Sequence, residues 1–340
     1  VTFPFPVLLC DIGGTNVRYA LASAPGARPE PVGKSLTADA RAFPESALAA
    51  LGQARLRPRS IMVCAAGPMA GRSLKLTNAD WVIDGPAAAR AIGVEQGLLL
   101  NDFEALAYAL PSLGSQDARS IGTVAEPTDG LRLVLGPGTG LGLSALARVD
   151  GRYAALPSEA GHMGFGPCGP EEEAFWPLLE RVHGRITAEA VLSGPGLARV
   201  HAARLAAQGA PTPGMTTAQI TTAQITTAQI TTAGLAAEGA ERETLRQFWR
   251  LAARFAGDMA IAFLARGGVT LAGGVLPRLA SLLDEAEFRS AFEAKAPMDG
   301  LARAIPTRLV TAPDAVLAGM AGIAAQPERF AIDYAARLWV

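Results

Sequence analysis

Residues 98–106 read LLLNDFEAL. Three apolar residues run into the polar pair Asn101-Asp102, and a run with small and apolar positions follows to Leu110. The pattern predicts a buried strand that ends where a helix begins. In an open α/β sheet, ligands sit beyond the carboxyl ends of the strands. A carboxylate at that point, beside an amide, can hold a hydroxyl and take its proton. The plainer reading is that this Asn-Asp pair caps the helix and satisfies the free N–H groups of its first turn.

Two glycine turns lie on either side of this stretch. Residues 7–10 form an apolar strand leading into Asp11-Ile-Gly-Gly-Thr-Asn16, and residues 17–22 read as a second strand, which makes a hairpin. Gly13 and Gly14 let backbone N–H groups approach an anion with no side chain in the way, and Thr15 adds a hydroxyl. Asp11 is placed to hold a hydrated magnesium ion, which prefers one or two carboxylates and several waters. A Gly-Gly pair is equally common in plain hairpin turns. The second half of the chain repeats the plan. An apolar strand at 131–135 meets Gly-Pro-Gly-Thr-Gly-Leu-Gly at 136–142, and another strand runs over 143–149. Gly138 and Thr139 then mirror the first turn. No Lys-Ser/Thr follows, so this is no Walker loop, and the glycine spacing with no helix directly behind it argues against a dinucleotide fold. The echo predicts a duplicated α/β unit with phosphates clasped between the halves.

Other polar residues join this pattern. Glu159 and His162 fall in a glycine-rich loop, 156–166, and suit several sugar hydroxyls by accepting and donating. Glu189 follows Thr187, and Thr187 or Ser193 is a candidate cap, so Glu189 either serves a helix dipole or supplies a third carboxylate. Asn78 sits in a loop, where it reads as a substrate contact or an Asx turn. A buried strand at 268–275 ends in Gly273-Gly274, which leaves room for a flat ring such as adenine. The remaining expectations are strands at 34–37, 60–66, 74–77 (an edge strand) and 307–311 (the last strand). Helices are expected at 44–56, 85–92, 171–183, 241–266 and 315–325. Punctuation at 111–114 marks a domain boundary. The tail, 327–340, carries Phe330, Tyr334, Leu338 and Trp339 as anchors and is expected to dock. Residues 216–233 repeat TTAQI three times. A period of five fits neither a strand nor a straight helix face, so this is expected to be a low-complexity surface connection, partly helical near its end.

Composition narrows the function classes. The chain has 340 residues, half of them hydrophobic, with 30 Lys and Arg against 31 Asp and Glu. Such a balance does not favour nucleic acid as a partner. Cys10, Cys64 and Cys168 are widely spaced, and two lie in apolar strand-like runs, so packed thiols in a reducing compartment are expected. A structural zinc site would need more ligands than Cys168 and His162 offer. The opening VTFPFPVLLCD does not read as a signal peptide, and no apolar run is as long as a membrane span. The expectation is a soluble cytoplasmic protein with no membrane partner.

Together the motifs resemble the bacterial glucokinase family of the hexokinase–actin-like ATPase superfamily. The matching pieces are DIGGTN (11–16), LLLNDFEALA (98–107), GPGTGLG (136–142), LPSEAGHMGF (156–165), TAEAVLSGPGL (187–197) and LAGGVLPR (271–278), in the family order. The resemblance implies an α/β fold of two actin-like ATPase (ribonuclease H-like) domains around a central cleft. One would comprise 1–112 with about 312–340, the other 113–311. It implies transfer of the γ-phosphoryl group of ATP to the 6-hydroxyl of glucose, with magnesium carried by ATP, near Asp11, rather than by a protein cage. By matching position, Asp102 would be the base. Asn101, Glu159, His162 and Glu189, with Asn78, would bind the sugar. Asp11, Gly13, Gly14, Thr15 and Asn16, with Gly138 and Thr139, would serve the phosphates, and Gly273 and Gly274 the adenosine. A homodimer is also implied. Two departures stand out: the TTAQI repeat falls between matched pieces, and 330–340 extends past the expected end of the pattern. A kinase for fructose, mannose or an amino sugar fits the same cage. A non-catalytic sugar sensor is the other alternative, but it would want a DNA-binding helix pair and would not need Asp102.

Overall fold

The computed structural model describes residues 1–13, 16–40, 42–52, 54–67, 69–76, 81–123, 129–209 and 226–339. The chain divides into two compact units. One comprises Val1–Ala118, Leu146–Pro157 and Ala312–Val340, the other Arg119–Ala145 and Ser158–Thr311.

In the first sheet, β1 (Val7–Ile12), β2 (Asn16–Ala22) and β3 (Glu30–Leu36) form an antiparallel meander. β4 (Ser60–Ala65) lies parallel beside β1. A small antiparallel sheet of β5 (Met69–Ala70), β6 (Ser73–Lys75) and β7 (Val82–Asp84) follows. β8 (Gln96–Asn101) then lies parallel beside β4. The sequences of β1, β4 and β8 are nearly continuous apolar runs because both faces of a parallel sheet are covered. The second sheet is built from β9 (Ala118–Ile121), β10 (Arg132–Pro137), β11 (Leu141–Val149), β12 (Arg152–Ser158), β13 (Val269–Leu271) and β14 (Thr307–Val310). Its order is β12-β11-β10-β13-β14-β9, and β13 is parallel to both β10 and β14. The first sheet runs β3-β2-β1-β4-β8, so each consists of three consecutive strands followed by two parallel ones. The expected duplication is therefore present in the strand order. Each sheet gains a sixth strand beside its last parallel one: β9 in the second, and β15 (Leu338–Trp339), antiparallel to β8, in the first.

Each unit has its own apolar core. In the first, Leu8, Ile12, Val63, Leu99 and Phe43 pack with Trp339. In the second, the long helix Ala240–Ala262 turns Leu245, Phe248, Leu251, Phe255 and Met259 inward, as its apolar stripe predicts. The helix Ala315–Ala325 approaches the helix Asp102–Ala109 so closely that a Cβ on Gly319 would lie 2.5 Å from the Ala109 Cβ.

Several expected elements are corrected. The helix expected at 171–183 stops early. Pro170–Phe175 is helical, Trp176–Leu178 makes a 3₁₀ turn, and Val182 and Arg185 then close a tight turn through paired backbone bonds of 2.9 and 3.0 Å. Pro177 lacks the N–H that a continuing helix needs. The helix expected at 44–56 is Phe43–Leu51, ending at Gly52. The expected strand at 74–77 is the central strand of the small sheet rather than an edge, and the strand at 268–275 is only Val269–Leu271. The last strand is β15, in the tail, not β14. The tail does dock, with Phe330 and Trp339 buried. The third TTAQI copy is more than a surface connection. Thr226 caps the helix Thr227–Ala236 in a capping box with Gln229, and Ile230 is fully buried in the second core. The first two copies lie outside the described residues, as do Gly14, Thr15 and Asn78.

Candidate active site

Strand register in the first unit gathers polar groups at one sheet edge. Asp11 stands opposite Cys64, Cys64 opposite Leu100, and Asn101 closes the next row. The capping question is settled by Asn101. Its Oδ1 accepts from the N–H groups of Phe103 (3.0 Å) and Glu104 (3.2 Å), while the Glu104 carboxylate accepts from the Asn101 N–H at 3.3 Å. Asp102 is the first helical residue, and its carboxylate is not the cap. Burial raises the Asp102 carboxyl from 3.8 to about 6; the Asp11 charge pushes the same way, while hydrogen bonds from the Phe103 N–H and Asn101 oppose it. Asp11 is 8% exposed and pairs with Arg18, its cross-strand neighbour in the β1–β2 hairpin. The Cys64 thiol donates to Asp11 Oδ1 at 3.6 Å. Burial, and then the Asp11 and Asp102 charges, push that thiol well up, so it remains a protonated donor.

In the second unit, the turn between β10 and β11 spans three residues, as does the turn between β1 and β2. The Gly138 N–H donates to the Gly140 carbonyl at 2.8 Å, and the Gly13 N–H to the Asn16 carbonyl at 2.9 Å. Thr187 caps the short helix Ala188–Val191 and Ser193 caps Gly194–Ala207. With capping done by Thr187, the Glu189 carboxylate is free to turn to the glycine loop, where Oε2 accepts from the Leu141 N–H at 2.8 Å. A Cβ at Gly140 would sit 2.4 Å from that oxygen, so any side chain there would push the Glu189 carboxylate aside. His162 lies between two carboxylates. Its Nδ1 is 3.9 Å from Glu189 and its Nε2 3.6 Å from Glu159, whose side chain is 91% exposed. Thr139, His162, Thr187, Glu189 and Ser193 line one cavity of about 300 Å³, at the small end of the range for small-molecule sites. The end of β13 closes against the same turn. The Ala272 N–H donates to the Leu135 carbonyl (2.9 Å) and the Val275 N–H to that of Pro137 (3.1 Å). Gly273, at φ +85°, occurs where a Cβ would lie 2.5 Å from the Pro137 carbonyl oxygen. At Gly138 and Gly274 a Cβ would meet nothing within 4 Å, so both backbones face open space.

A family model for glucokinase matches residues 8–327. The chain belongs to the glucokinase family. It is 38% identical to the glucokinase of Sinorhizobium medicae over 339 residues, covering 99% of this chain and 97% of that one. It is also 38% identical to the glucokinase of Brucella suis, covering 99% and 96%. A crystal structure of glucokinase from an Antarctic psychrotroph superposes with a TM-score of 0.78 at 31% identity, covering 93% of this chain and 98% of that one. As a glucokinase-family member the chain is a kinase with the actin-like ATPase α/β fold.

Among the residues singled out from sequence, this member of the glucokinase family brings Glu159, His162, Glu189 and Thr139 together, with Gly138 beside Gly273 and Gly274. It separately gathers Asp11, Asn101 and Asp102, with Gly13 and Asn16 closing the turn after β1. Sequence reasoning passed over Arg18 and the turn at 182–185, whose Val182, His183 and Arg185 line the cavity, and it read Cys64 only as a packed thiol and Ser193 only as a helix cap. Arg18 was within reach: a three-residue turn between 12 and 16 puts residue 18 opposite residue 11. Cys64 was also signalled, because it ends an apolar strand as Asp11 does. Among the described residues, no three His, Cys, Asp or Glu side chains form a metal cluster, and no helix is long and apolar enough to cross a membrane.

Proposed function

We propose that this protein transfers the γ-phosphoryl group of ATP to the 6-hydroxyl of glucose, with Asp102 accepting the hydroxyl proton. One observation carries the assignment of the base. Asn101 does the capping, so the Asp102 carboxylate is not the cap of its helix, and burial raises its pKa to about 6. A base of that pKa is ionised at neutral pH and still basic enough to take a proton as the O–P bond forms. Asn101, Glu159, His162 and Glu189 hold the sugar hydroxyls, with Asn78 as a further contact. Phosphoryl transfer needs positioning and charge stabilisation more than covalent chemistry. The backbone N–H groups of the turns at Gly13, Gly14, Thr15 and Asn16 and at Gly138 and Thr139 supply that stabilisation, and Gly273 and Gly274 take the adenosine.

Magnesium travels with ATP. A single buried carboxylate, Asp11, suits an ion that keeps most of its waters. The ion neutralises phosphate charge when bound. The proposed domains are 1–112 with 312–340 and 113–311, and excluding water at the reacting hydroxyl keeps it from competing as the acceptor. The protein works as a cytoplasmic homodimer. The free thiols Cys10 and Cys64 suit a reducing compartment.

The test is a coupled assay of ATP consumption with glucose, run on the wild type and Asp102→Ala, beside calorimetric titration with glucose. Glucose-dependent turnover in the wild type, lost in the variant while glucose binding stays measurable, is expected. Near-normal turnover by Asp102→Ala would remove it as the base, and a wild type with no sugar-dependent turnover would overturn the kinase reading.

A further inference from the structure

We infer that Arg254 is a positioning residue that sets the mutual placement of the sugar-binding pair His162 and Glu189, an inference that rests on the function proposed above. His162 precedes, and Glu189 follows, two short segments that pair with each other. The Phe165 N–H donates to the Ile186 carbonyl (3.1 Å), the Ala188 N–H donates to the Met163 carbonyl (3.0 Å), and Gly164 bridges Thr187. The two side chains therefore leave the same end of one ladder, and whatever fixes its other end fixes their spacing.

At that other end stands the Arg254 guanidinium, from the helix Ala240–Ala262. It lies 4.0 Å from the centre of the Phe165 ring, and its Nη2 donates to the Gly166 carbonyl (2.9 Å) and to Glu172 Oε2 (2.8 Å). Glu172 Oε2 also accepts from the Cys168 N–H at 2.8 Å, and Oε1 accepts from Gln247 at 3.3 Å. One flat cation thus holds the aromatic ring, the next carbonyl and, through Glu172, the N–H two residues further on. Phe165 is seated edge-on against Phe255 and Trp176, ring centres 5.9 and 5.8 Å apart. The Arg254 and Glu172 side chains are 16% and 9% exposed. A buried ion pair is a weak source of stability, and apolar replacement of both charges is often tolerated. What this pair supplies is a fixed register for residues 165–168. Lysine cannot reproduce it, because it has no flat face to lie over the Phe165 ring while Nη2 reaches both oxygens.

The experiment compares wild type, Arg254→Lys and the double variant Arg254→Met/Glu172→Gln, varying glucose and ATP separately. The glucose KM is expected to rise tenfold or more in both variants while kcat stays within twofold and the ATP KM rises less than the glucose KM, because Asp102 is not mounted on this ladder and the turn at Gly138–Gly140 meets it only through Glu189. The chain has three histidines, so the His162 ring signal can be followed by NMR; it should move in both variants. An unchanged glucose KM and an unmoved His162 signal in a folded variant would refute the inference. If the double variant does not fold, Arg254→Lys, which keeps the charge, decides alone. A wild type that turns over no hexose refutes the kinase reading instead, and the His162 signal of Arg254→Lys still decides the positioning.

Discussion

Asp102 is held where its charge is costly. Its carboxyl titrates near 6 in the folded chain against 3.8 for the free group, because burial disfavours the ionised form. The folded state therefore binds the proton more tightly than the unfolded one. Below pH 3.8 both states are protonated and there is no penalty. Between 3.8 and 6 stability falls as pH rises, and above 6 the full cost remains, about two units or ~3 kcal/mol as an upper bound. Asp102→Asn should then stabilise the protein by up to ~3 kcal/mol at pH 7, with little gain at pH 4, while kcat drops on the order of 10²–10⁴. Urea unfolding at the two pH values checks the first part; an equal gain at both would show that the charge is not the cause. Wild-type kcat should fall below pH 6 as the base protonates. The sequence offered Asn101 and Asp102 as equal candidates for the cap. Which of them caps depends on side-chain geometry at a helix start, and here Asn101 takes that role.

Hairpins and their turns were the most legible elements. A run of apolar residues, two glycines with a threonine and another apolar run specify a turn whatever the rest of the molecule does. The helix expected at 171–183 failed because Pro177 outweighs the apolar spacing around it. The repeat is helical near its end as expected, but its burial was not foreseen. A five-residue period has no structural meaning, yet Thr226, Gln229 and Ile230 of its third copy serve as cap, cap partner and core residue. The element most exposed to a test is the turn at Gly138–Gly140. Gly140→Ala would drive a methyl to 2.4 Å from the Glu189 carboxylate and break its bond to the Leu141 N–H. Loss of a charge-assisted hydrogen bond costs about 1.5–3 kcal/mol, so the glucose KM should rise roughly ten- to a hundredfold. Steady-state kinetics would show this, and an unchanged glucose KM would mean that Glu189 is not held for the sugar.

Two sheets with one strand order follow from one sequence plan used twice, and both need a sixth strand to cover the last parallel one. In the first sheet that strand comes from the far end of the chain. Trp339 fits between Gly85 and Gly97, where any Cβ would lie within 2.4 Å of its ring. Its burial joins the chain end to the core that also supports β8 and, beyond it, Asp102. Trp339→Ala should cost about 3–5 kcal/mol, as large aromatic truncations in cores do. Equilibrium unfolding measures it, and a loss below ~1 kcal/mol would show that the tail is dispensable.

By itself the sequence determined the α/β class, the twin glycine hairpins, the strand that delivers Asn101 and Asp102, and the motif set of a glucokinase. All of these are local patterns of apolar spacing and turn chemistry. Tertiary structure decided what depends on neighbours distant in the chain. Asp11 meets Cys64 because strands 53 residues apart run in parallel register. Glu189 turns to Leu141 because Thr187 has taken over the cap. Arg254 reaches Phe165 because a long helix lies beneath the loop that carries His162. No period or motif within a short window encodes such pairings, since they arise only once burial has folded the separate pieces against one another.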